Sequence, residues 1–277
     1  MTSNGAAASD SGTPTGPDPR FNGGSDRAEP HADLPFLEDA IENVDAATSS
    51  AAPTNAAAKS AAAEEPRPLW RGWLHAGTFP LTIAAGIVLI SVAHGPIAKW
   101  AAAVYMLSSM LLFGVSALYH RFNWKPATKQ VFRRLDHANI FLLISGTYTP
   151  IALLALPLEK GVILLIAVWA GAALGIGFRV FWLSAPRWLY VLLYVALGWA
   201  AVAFLGDIAA ANLAAMILVV VGGLLYTIGS VVYGFKRPNP VPGVFGFHEI
   251  FHALTVLAFL CHWTAALLLV LDPVYLR

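Results

Sequence analysis

The sequence predicts an all-α membrane protein. It reads as a bundle of seven transmembrane helices, N-terminus in the cytoplasm and C-terminus outside, preceded by a disordered tail. Three observations predict this. The 277 residues are 57% hydrophobic and only 12% charged, with a mean hydropathy of +0.64, which is far from the balance of a soluble globular domain. The charge is also unevenly spread: residues 1–65 hold eleven acids and three bases, whereas residues 66–277 hold only the five acids Asp136, Glu159, Asp207, Glu249 and Asp272. From Leu69 onward, apolar stretches of spanning length recur seven times. The strict alternation of a membrane β-barrel is absent from them.

Taken in order, residues 1–66 form an Ala/Ser/Pro-rich acidic tail. It lacks the large apolar residues needed to offset ordering entropy, so disorder is expected. The stretch Leu34 to Ile41 is the part that can form a helical acidic patch. The start has no basic run followed by an apolar run, so no signal peptide is expected and the first span must drive insertion.

Residues 67–277 form the membrane domain. The spans are expected at 76–93, 97–119, 135–156, 161–178, 188–205, 213–233 and 245–271. Short links favour antiparallel neighbours in one bundle. One set of flanks carries eleven Lys and Arg residues, among them Arg71, Arg121, Arg134, Arg179 and Arg237, and the other carries Lys99, Lys160 and Arg277. That bias puts the N-terminus in the cytoplasm and requires an odd number of spans. The link Arg121 to Arg134 alternates bases with Phe122, Trp124, Val131 and Phe132, and is expected to lie along the inner leaflet. Trp70, Trp73, Trp100, Trp188, Tyr233 and Trp263 read as interfacial anchors.

The chemistry gathers at one membrane level. The second span ends on the cytoplasmic side with Ser116 and His120, four residues apart and hence on one helix face. The third span begins on that side with Asp136, and the seventh begins there with His248 and His252. The last two imidazoles are also four apart, about 40° around the axis. Three histidines from two helices, with a carboxylate nearby, have the make-up of an open catalytic zinc site. Asp136 would accept or relay a proton from water acidified by the metal, and Ser116 would hold a carbonyl or orient that water.

Other candidates drop out by distance. The lone cysteine, Cys261, lies about 13 Å along the helix from His252, and His262 about 15 Å along it. His75 and His94 fall at helix ends and are expected to face the interface. His137 is turned about 100° from Asp136 and reads as a packing residue. His248-Glu249-x-x-His252 also matches the metalloprotease pattern in which the glutamate is the general base. The acid that would complete it, Asp272, lies about 30 Å away at the opposite face, so Glu249 reads better as a helix N-terminal acid.

With these residues in place, the chain resembles the hemolysin III family, the bacterial branch of the progestin and adipoQ receptor family. The stretches SALYHRFNW (116–124), LDHANIFLLISGTYTP (135–150) and HEIFHALTVLAFLCHW (248–263) carry the likeness, which extends over about residues 70–272. The resemblance implies zinc held by His120, His248 and His252, with Asp136 near the zinc-bound water and Ser116 beside it. It also implies kinship with alkaline ceramidases and adiponectin receptors. Relatives often carry a glutamate seven residues before the first-span histidine, and here that position is Pro68.

Two function classes stay open. One is a membrane zinc hydrolase acting on lipid amide or ester bonds, with membrane lipids as partners and nucleic acid not expected. The other is a membrane-permeabilising or signalling protein in which zinc only braces the bundle.

Overall fold

A computed structural model describes residues 68–182 and 184–275. The acidic tail, including the patch at Leu34 to Ile41, lies outside the described residues. Every regular element among them is helical: α1 (Trp73–Val92), α2 (Gly95–Arg121), α3 (Pro126–Ala155), α4 (Leu158–Phe181), α5 (Arg187–Gly198), a 3₁₀ turn (Ala200–Phe204), α6 (Leu205–Ala211), α7 (Leu213–Phe235) and α8 (Phe247–Leu271). Seven segments are long and apolar enough to cross a membrane, the fifth being α5, the 3₁₀ turn and α6 together (Trp188–Ala211). This is the seven-helix membrane architecture expected from the sequence.

The third span lies at the centre. Of its most apolar stretch 78% is buried, against 17% for the fifth span and 22% for α7. Helix α3 packs along α2 and α4, while α8 packs along α7 and also reaches α1, α3 and α2. The outer faces carry Leu81, Trp100, Leu107, Ile166, Leu174 and Phe235, all exposed, as a surface bathed in hydrocarbon requires. Small residues allow close approach: Gly175 lies under the Phe141 ring and Gly171 under Leu197.

Two boundaries differ from expectation. The basic link is not a piece lying along the leaflet, because α3 begins at Pro126 and continues through Arg133 and Arg134 into the span. Proline at the first helical position is pre-set for the helix and gives up no hydrogen bond, and no breaker follows before Gly146. Trp124 closes the short remaining turn: its indole N–H donates to the Leu118 carbonyl (2.9 Å) and its ring stacks on Phe132.

The fifth span is longer than expected and interrupted. Helix α5 stops at Gly198, and the Tyr148 hydroxyl from α3 fills the break, donating to the Gly198 carbonyl and accepting from the Ala201 amide at 3.1 Å. Backbone groups freed inside a bilayer must find such a partner. Lys160 at the start of α4 pairs with Asp207 of α6 at 2.7 Å, tying the two elements at the end of the bundle opposite the histidines.

Candidate metal centre

The histidine end is assembled from three helices. His120 sits in the last turn of α2, and His248 and His252 in the first two turns of α8. Asp136 lies in the membrane portion of α3, one turn past its basic start.

The start of α8 is fixed by the residues around it. The Glu249 carboxylate accepts from the Gly246 amide at 2.9 Å, and the Asn239 side-chain oxygen accepts from the Phe247 amide at 2.9 Å. These satisfy amides that have no partner within the helix. The other Glu249 oxygen takes the Arg71 Nε–H at 2.6 Å. The glutamate is thus the helix N-terminal acid expected from the sequence, and it is also the buried half of an ion pair whose Arg71 is partly exposed.

The segment ahead of α1 closes over this end. Leu69 and Trp70 donate backbone hydrogen bonds to the carbonyls of Gly243 and Val244 (3.1 and 3.3 Å). Gly72 then turns the chain at φ 79°, with its missing Cβ only 2.7 Å from the Cβ of His120. A side chain there would meet both left-handed backbone strain and the His120 side chain. The Arg121 guanidinium lies 4.0 Å over the Trp73 ring.

The three histidines converge. One nitrogen each of His120, His248 and His252 lies within 4.8 Å of the others, a group that can hold a metal ion. The Nε2 atoms of His120 and His248 are 3.2 Å apart. His120 and His252 are buried, and His248 is partly so. The Asp136 carboxylate lies 3.8 Å from His120 Nε2, and Ser116 lines the same cavity end. All five residues singled out from the sequence therefore lie together.

Three residues stand apart from the sequence reading. His75 does not face the interface: it is 2% exposed and stacks on His252, with ring centroids 3.8 Å apart and planes within 5°. Neither of its ring nitrogens has a hydrogen-bond partner. The first turn of α1 enters at the histidine end, so its inward face meets α8, and periodicity over this short start gave no sign of that. Arg179, counted from the sequence as a flanking charge, is fully buried; it contacts His137 Nδ1 at 2.5 Å and lies 4.4 Å over the Tyr190 ring. Trp263 is not an outward anchor, since its indole N–H donates to the Ala85 carbonyl at 3.2 Å. His94 is exposed, as expected.

A cavity opens from the histidines and runs between α3, α5, α7 and α8. Its walls are mostly apolar and aromatic, with Ser116, Asp136, His248 and His252 at one end and Thr255, Tyr226 and His262 farther along. His262, about 15 Å along α8 from His252, thus lines the same cavity without joining the metal-capable group.

These features define a multi-pass membrane protein with a buried three-histidine centre at the mouth of an internal cavity. The chain belongs to the haemolysin-III related family, whose model matches residues 64–263. It is 32% identical over 161 residues to "Hemolysin-3 homolog" of Bacillus subtilis (strain 168), covering 57% of this chain and 75% of that protein. It is 35% identical over 162 residues to "Hemolysin-3" of Bacillus cereus, 57% of this chain and 73% of that one. A shorter likeness, 47% over 49 residues and 16% of each chain, is to "ADIPOR-like receptor IZH2" of Saccharomyces cerevisiae.

Proposed function

We propose that this protein is a zinc-dependent hydrolase of lipid amide or ester bonds, seated in the cell membrane with its histidine end toward the cytoplasm. The observation that carries the reading is the Asp136 carboxylate lying 3.8 Å from His120, beside three convergent imidazoles. The donor set suits zinc. Two nitrogens each 2.0–2.1 Å from a tetrahedral zinc lie about 3.3 Å apart, and the His120 and His248 nitrogens are 3.2 Å apart. Imidazole donors without thiolate or thioether favour zinc over cuprous copper. Zinc bound there would supply a Lewis acid that polarises a carbonyl and acidifies water near neutral pH.

The chain's own residues do the rest. Three protein ligands leave a coordination position open. Asp136 takes up the proton released as water attacks a carbonyl and returns it to the leaving amine or alcohol. Ser116 fixes the carboxylate by donating to it. The apolar cavity receives acyl chains and keeps bulk water from the carbonyl. The excess of Lys and Arg on the histidine-end flanks supports its cytoplasmic placement.

Metal analysis of detergent-purified protein, paired with turnover of a panel of lipid amides and esters, tests this. Wild type should contain zinc and cleave at least one substrate, and Asp136→Asn should keep the zinc and lose the turnover. Zinc without turnover of any lipid amide or ester would favour a bracing role, in keeping with the haemolysin names of the Bacillus relatives.

A further inference from the structure

The cavity has a second polar pole that the reaction above does not use. His262 lies on α8 and is buried at 8% exposure. Its Nε2 faces the Val219 carbonyl of α7 at 3.2 Å. A carbonyl only accepts, so in the neutral ring the proton sits on Nε2 and Nδ1 is an acceptor. That Nδ1 has no partner, and neither has the buried hydroxyl of Tyr226. The two rings stack, with centroids 5.5 Å apart and planes within 19°, so an idle acceptor and an idle donor sit in one aromatic stack. Gly222 makes the seat: a Cβ there would fall 2.8 Å from the imidazole. Buried polar atoms are rarely left unpaired, because burial strips them of water without supplying another partner. Both residues line the same cavity as His248 and His252.

We propose that His262 and Tyr226 form a hydroxyl-recognising subsite for a long-chain lipid whose polar end lies at the histidine triad. The subsite rests on the lipid reading of the cavity but not on catalysis. A hydroxyl is the group that fits, because it donates to Nδ1 and accepts from the phenol at once. The ten residues from His252 to His262 set the span at about 15 Å, so the hydroxyl belongs in the middle of an acyl chain and not beside the headgroup.

Direct binding of ricinoleate and oleate, two acids that share chain length and double bond and differ by one mid-chain hydroxyl, tests this. Titrations of purified full-length protein in detergent are followed by tryptophan fluorescence. Wild type should bind ricinoleate about fivefold more tightly, the worth of one net hydrogen bond. His262→Phe keeps the ring in the Gly222 seat and Tyr226→Phe removes only the hydroxyl; each should lower the ratio toward unity with oleate affinity unchanged. Equal binding of the two acids by wild type, or an unchanged ratio in both variants, overturns the subsite and leaves the lipid reading standing. Saturable binding of neither acid overturns both.

Discussion

The two ends of the bundle are built from similar residues to different purposes. Each has a basic residue paired with an acid across helices: Arg71 with Glu249 at 2.6 Å, and Lys160 with Asp207 at 2.7 Å. At the opposite end the pair is solvated, with the Lys160 side chain 49% exposed. At the histidine end the carboxylate is 1% exposed, and buried around it are His75, His120, His252, Asp136 and Ser116. A membrane bundle needs one such solvated tie at most. Burying six ionisable or hydroxyl groups where lipid would otherwise suffice is costly, which is the physical ground for placing the proposed function at that end.

Substitutions at the two ends should separate this contrast in descending order. Largest, His120→Ala or His252→Ala should abolish zinc retention on dialysis, read by elemental analysis, because two remaining imidazoles do not hold the ion. Next, Asp136→Asn should lower lipid hydrolysis by roughly 10²–10⁴-fold, the usual contribution of a general base, with zinc content kept. Full turnover by that variant would move the proton transfer elsewhere. Arg71→Ala strands the buried Glu249 carboxylate and should cost about 3 kcal/mol in reversible unfolding. Lys160→Ala breaks only the exposed pair and should cost under about 1 kcal/mol. Equal losses from these last two variants would erase the distinction between the ends.

Much of this was legible before any coordinates. Spanning length and hydropathy located all seven spans, since the bilayer imposes one length on each. The five site residues came from spacing and shared depth: i and i+4 on α2 and α8, and a first-turn position on the membrane part of α3. Other features were hidden for definite reasons. His75 sits at the mouth of α1, where too few turns precede it for periodicity to tell inside from outside. Arg179 looked like a flanking charge because sequence shows that a helix is ending but not which way its last turn faces. Pro126 looked like part of a loop because proline is read first as a breaker, although at the first helical position it starts one. The break at Gly198 depends on a hydroxyl from Tyr148, fifty residues earlier, and no local pattern carries that.

The thin wall of the cavity has a consequence for how affinity is to be expressed. The fifth span, which closes one side, is the least enclosed of the seven, so a single helix separates the cavity from surrounding hydrocarbon. Under the proposed function, a lipid substrate would reach the histidines sideways from the bilayer without passing through water. Its effective concentration is then its mole fraction among membrane lipids or detergent, and half-saturation should stay constant in those units when total detergent is doubled at fixed lipid-to-detergent ratio. A constant described in moles per litre of buffer would drift with every change of micelle content.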